Sequence, residues 1–87
     1  MTCYIISYDL TEGSDYDSLH NAIKSYGTCT QISESTWAIV TDSSATAIRD
    51  KLGAYMQKGG RLFVVKSGIE AAWRNVICKS EWLQKHL

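Results

Sequence analysis

Asp9 closes the apolar run Cys3-Tyr4-Ile5-Ile6-Ser7-Tyr8, and three more carboxylates, Glu12, Asp15 and Asp17, follow within eight positions. Hard divalent cations such as Mg²⁺ take oxygen ligands, keep several waters and need only one or two protein carboxylates. Asp9 supplies one. A second copy of the chain would supply another, and a cation held between the two across a two-fold axis would polarise a phosphodiester. The same residues have structural uses: Asp15 and Asp17 suit the positive end of a helix, and Glu12 suits a solvated loop. Asp9 fits equally an acceptor for nearby turn amides.

The other reactive side chains are sparse. Cys3, Cys29 and Cys78 are an odd number without CxxC spacing, which matches neither a disulfide framework nor a zinc ribbon and reads as three small thiols in a reducing compartment. His20 and His86 are the histidines, one in an expected helix and one near the end of the chain; neither placement argues for a cysteine–histidine dyad. Glycine-rich phosphate loops, HExxH, EF-hand loops and GxSxG are absent from the sequence.

Net charge is zero, yet the charge is segregated: residues 1–50 carry seven carboxylates against Lys24 and Arg49, and residues 51–87 carry seven cations against Glu70 and Glu81. Lys51, Lys58, Arg61 and Lys66 flank the second helix and the fourth strand, where they form a candidate basic edge for nucleic acid or a solvated face whose charges guard a strand edge. No apolar run approaches the roughly 20 residues that cross a bilayer, and no basic, apolar and small-residue leader pattern is read at Met1-Thr2-Cys3-Tyr4. A membrane protein is not expected; a cytoplasmic one is.

Eighty-seven residues with 45% apolar positions accommodate one domain, here residues 1–87, with a core over 1–67 and a tail over 68–87. So short a chain buries only about 60 to 65% of its unfolded surface, which favours self-association. Residues 3–8 read as a strand. Ser14 with Asp17 three positions on starts a helix carrying Tyr16, Leu19, Ile23 and Tyr26, which Gly27 stops. Residues 28–33 and 36–41 are β-prone and joined too tightly for anything but antiparallel pairing. Ser43-Ser44 caps a second helix with Ala45, Ile48, Leu52 and Tyr55 on one stripe, closed by Gly59-Gly60. Residues 61–66 form a fourth strand, and residues 79–86 a terminal helix.

The order βαββαβ is the ferredoxin-like α+β pattern: an antiparallel sheet with both helices on one face and, for right-handed crossovers, strand order 4-1-3-2. Trp73 and Trp82 of the aromatic tail, or a second subunit, are then expected to cover the face without helices.

Tyr4-Ile5-Ile6-Ser7-Tyr8-Asp9-Leu10 resembles the first-strand signature of the second CRISPR-associated (Cas) protein family, a short apolar strand ending in Tyr-Asp and an aliphatic residue. Residues 16–27 resemble that family's first helix, and Ser35-Thr36-Trp37-Ala38-Ile39 stands where its third strand runs. Ser7-Tyr8-Asp9-Leu10, Glu34-Ser35-Thr36-Trp37 and Trp82-Leu83 are similar to recurring features of its small stand-alone SinR-type branch. The resemblance implies a ferredoxin-like homodimer acting on RNA or DNA as a metal-dependent nuclease, with Asp9 as the Mg²⁺ ligand and catalytic residue. Other members of that family bind nucleic acid architecturally without needing the aspartate, so a non-catalytic dimeric adaptor is the alternative. The chain departs from the family pattern at Gln31, where a basic residue is common, and in residues 67–87, which replace a swapped fifth strand.

Overall fold

Seven elements follow one another along the chain: β1 (Thr2–Asp9), α1 (Tyr16–Lys24), β2 (Thr28–Ser33), β3 (Thr36–Thr41), α2 (Ala45–Gly53), β4 (Arg61–Lys66) and α3 (Ser80–His86). They come from a computed structural model that describes all residues except Glu12, Ser14 and Ile69. The architecture is α+β, a four-stranded antiparallel sheet with three helices. No helix among the described residues is long and apolar enough to cross a membrane.

The sheet runs β2-β3-β1-β4, or 4-1-3-2 read from the β4 edge, so β1 has a hydrogen-bonded neighbour on each side. Ile6 stands opposite Trp37 of β3 and Val64 of β4, Tyr4 opposite Ile39 and Lys66, and Asp9 opposite Arg61. Successive side chains on a strand alternate between faces, and paired residues share a face. Tyr4, Ile6 and Tyr8 therefore point to one side, together with Trp37, Ile39, Leu62 and Val64. Both long helices cover that side: Leu19, Ala22 and Ile23 of α1 and Ile48 and Leu52 of α2 join Ile6, Tyr8, Trp37 and Ile39 in one buried cluster.

The two long helices start where side-chain oxygens meet orphan amides, whereas α3 begins at Lys79 without a side-chain cap. Asp15 caps α1, accepting from Ser18 N–H at 3.1 Å and from the Ser18 hydroxyl at 2.6 Å, and these bonds to the charged form hold its carboxyl below the usual aspartate range. Asp15, rather than the expected Ser14, is the cap; Ser14 lies outside the described residues. Ser44 caps α2 by accepting from Ala47 N–H. Both helices end earlier than their apolar stripes suggested. Tyr26 and Tyr55 lie in the turns beyond α1 and α2, and Gly59 serves a separate turn in which Gly60 N–H donates to the Gln57 carbonyl. Gly27 follows α1 at φ +91°, a left-handed conformation that strains any residue with a Cβ.

The opposite face carries Cys3, Ile5, Ser7 and Asp9 of β1, Ala38 and Val40 of β3, and Arg61, Phe63 and Val65 of β4. It is covered unevenly. Ala38 is 0% exposed, whereas Phe63 is 62% exposed. The tail reaches the sheet at its β2 edge, where Ile77 N–H donates to the Ile32 carbonyl at 2.8 Å, and Leu83 of α3 is buried outside the helix-side cluster. Among the described residues of the tail, Leu83 is the fully buried side chain. Trp73, bonded through Nε1 to the Ser80 hydroxyl, and Trp82, in tilted contact with the His86 ring, are both half-buried.

Truncating Leu83 removes the tail's buried anchor. Leu83→Ala is expected to lower stability by about 2–4 kcal/mol in urea unfolding. An unchanged urea midpoint would show that the tail covers nothing.

Candidate functional site

Two groups of different chemistry meet at the carboxyl end of β1. The strand's alternation sends Tyr8 under the helices and Asp9 to the opposite face, one residue apart. On its own side Asp9 stands in register with Arg61, whose guanidinium lies 3.9 Å from the carboxylate. The Asp9 side chain is 70% exposed and that of Arg61 is 83% exposed. A long, solvated pair of this kind adds little to stability and leaves both charges available to a third group. Ser7, Tyr8, Asp9, Arg61, Leu62 and Phe63 line an open groove of about 230 Å³. That is smaller than the roughly 300–1,000 Å³ of pockets that enclose small molecules, and it suits part of an extended ligand.

Within one chain, Asp9 is a single hard ligand. Among the described residues no three His, Cys, Asp or Glu side chains are grouped to hold a metal ion. Glu12 lies outside the described residues, Asp15 is occupied as a helix cap, and Asp17 is an exposed first-turn charge of α1. The donor set at Asp9 thus suits Mg²⁺, which accepts one carboxylate and fills its octahedron with water, but becomes a two-carboxylate site only when another chain contributes.

The candidate basic residues are spread out. Lys51 donates to the Ser25 hydroxyl at 2.8 Å and lies 4.3 Å from the Tyr26 ring centre, bracing α2 against the end of α1. Lys66 shares the helix-side face with Tyr4, at the far end of β4 from Arg61, roughly 16 Å away at strand rise. Lys58 sits in the turn leading into β4, and only it and Arg61 share the Asp9 end of the sheet.

Beneath the helices lies a cluster that the sequence did not announce. The Tyr8 hydroxyl is 2.6 Å from His20 Nε2 on α1 and 3.3 Å from the Glu34 carbonyl in the β2–β3 turn, and the Tyr8 N–H donates to the Ser35 carbonyl at 3.1 Å. Rings of Tyr16, His20 and Trp37 surround it, with His20 centred 5.3 Å from Trp37 and 6.1 Å from Tyr16. Burial pushes the Tyr8 pKa up, the Trp37 indole N–H holds it back somewhat, and the negative potential of Tyr16 and Glu34 adds to the rise. The indole attracts Tyr8 without reaching hydrogen-bond geometry, so Trp37 Nε1 is a buried donor without a partner. Tyr16 and His20, four apart on one helix, were legible as neighbours. Tyr8 was not, because pairing it with His20 requires knowing which sheet face α1 covers.

The cysteines take no part. All three are free thiols, and burial raises the pKa of Cys3 and Cys29, which disfavours the reactive thiolate. Compared with known proteins, the chain matches no family model, no curated protein and no solved structure.

Tyr8→Phe keeps the ring and removes the hydroxyl, leaving His20 without its 2.6 Å partner. It is expected to cost about 1–2 kcal/mol in urea unfolding, and a change below about 0.3 kcal/mol would show that the hydroxyl holds nothing.

Proposed function

We propose that the chain is a ferredoxin-like protein that works in the cytoplasm as a homodimer on nucleic-acid phosphodiesters. In this reading Asp9 and its two-fold copy hold a Mg²⁺ ion for phosphodiester cleavage, as in the metal-dependent nucleases of the second Cas family that the first strand resembles. The observation that carries it is the placement of Asp9: an exposed carboxylate at the tip of a central strand and at the mouth of an open groove. The antiparallel order and the two helices sharing one face support the fold assignment. Phe63 and Val65, exposed on the open face beside the β4 edge, support association with a second copy. Free thiols support a reducing compartment.

Each residue of this chain has a limited task. Asp9 supplies an oxygen ligand, Arg61 binds a non-bridging phosphate oxygen, and the Ser7 hydroxyl offers a secondary contact; a bound Mg²⁺ would supply Lewis-acid polarisation of the phosphodiester. Lys58, at the same end, extends the positive field, while Lys51 and Lys66 would reach flanking phosphates only on a longer strand.

One observation favours a second reading, a dimeric adaptor that binds nucleic acid or protein without cleaving. Arg61 sits against the carboxylate that the metal would need, and a guanidinium there competes with a divalent cation.

Purified protein tested on single- and double-stranded RNA and DNA with and without Mg²⁺ separates the two. The nuclease reading expects Mg²⁺-dependent cleavage that Asp9→Asn reduces at least a hundredfold. Cleavage unchanged in Asp9→Asn rules Asp9 out. No cleavage, with salt-sensitive binding weakened by Lys58→Glu or Arg61→Glu, transfers the assignment to the adaptor. No mobility shift at low salt removes nucleic acid altogether.

A further inference from the structure

The Tyr8 hydroxyl has one hydrogen and faces two acceptors, His20 Nε2 at 2.6 Å and the Glu34 carbonyl oxygen at 3.3 Å. It cannot donate fully to both. The shorter contact assigns the hydrogen to His20 when the imidazole is neutral with its proton on Nδ1. Protonation of Nε2 reverses that bond. The imidazolium N–H must donate, the Tyr8 oxygen becomes its acceptor, and the hydroxyl hydrogen turns to the remaining acceptor, Glu34.

We infer that Tyr8, His20 and the Glu34 carbonyl form a proton-operated latch: with neutral His20 the hydroxyl hydrogen is spent on the bond from β1 to α1, and with protonated His20 that bond reverses and is kept while the freed hydroxyl hydrogen adds a second side-chain tie from β1 to the β2–β3 turn. The proton taken up on acidification stays on His20, and the hydroxyl hydrogen changes direction without leaving Tyr8.

The surroundings let the hydrogen move without moving the chain. Tyr8 is 2% exposed and its N–H is already fixed to the Ser35 carbonyl, so its ring does not swing between the two acceptors. Burial keeps Tyr8 a hydroxyl through the pH range in which a histidine titrates. Among the described residues, the titratable and charged groups around His20 are Tyr8 from β1, Glu34 from the turn, Tyr16 from α1, and Asp17 and Lys24 by their spacing of three and four on the same helix; Trp37 of β3 adds an uncharged ring. Gln31 Nε2 also donates to the Glu34 carbonyl, at 3.3 Å, so that oxygen lies within a turn already held by side-chain bonds. The latch rests on this geometry alone and stands or falls independently of metal at Asp9.

The test is NMR on the full chain labelled with ¹³C and ¹⁵N, without metal, from pH 5 to pH 8. His86→Gln leaves His20 as the sole histidine, and Glu34→Gln removes the neighbouring carboxylate while keeping its backbone carbonyl. The Glu34→Gln carbonyl carbon is expected to shift with the same midpoint as the His20 ring, and that shift is expected to vanish in both Tyr8→Phe and His20→Gln. Should either variant fail to fold, the other carries the comparison. A carbonyl signal that stays flat while His20 titrates overturns the latch, and so does a tracking shift that survives removal of the hydroxyl.

Discussion

A strand flanked by hydrogen-bonded neighbours on both sides has its backbone groups satisfied internally, and its conformation is then dictated from every direction. β1 is in that position. β3 and β4 hold it laterally, the helices seal Ile6 and Tyr8 on one face, and Cys3 is buried on the other. Every other feature of the molecule is arranged around that strand. The α1 and α2 stripes pack on its helix-side residues, the tail bonds to the far β2 edge of the same sheet, and the two groups able to do chemistry both sit at its carboxyl end.

Alternation along so rigid a strand yields two unlike environments one residue apart. Tyr8, itself 2% exposed, enters a part-buried aromatic cluster where burial raises its pKa and each hydrogen bond has consequences. Asp9 remains in water beside Arg61, where its charge is available. The hydroxyl of Tyr8, through His20 and Glu34, anchors the strand end that presents the carboxylate. A ligand at the exposed tip would therefore meet a carboxylate whose backbone is fixed and whose side chain is free to adjust.

The strands were largely legible because each is a short β-prone run bounded by turn chemistry, and β1, read over residues 3–8, gained one residue at each end. Helix ends were less legible. Tyr26 and Tyr55 continue the apolar spacing past the last helical hydrogen bonds; Tyr26 packs against the same core from its turn, whereas Tyr55 stays exposed. The tail was legible only in outline. Aromatic bulk at Trp73 and Trp82 drew attention there, whereas Trp73 is half-buried with its N–H donated to the Ser80 hydroxyl and the smaller Leu83 is fully buried. At the candidate site, Asp9 was visible as the residue that ends an apolar strand. The Tyr8–His20 bond was not, because it joins residues twelve apart through a helix docking that no local pattern encodes.

The most direct measurement is native-state hydrogen exchange resolved by residue. With β1 interior, the amides of Tyr4 to Ser7 exchange only through global unfolding, with a free energy equal to that from urea denaturation and above that of the β2 edge. If those amides instead exchange through local openings as readily as those of β2, the strand is not the fixed centre described here, and the arrangement of both groups at its tip does not hold.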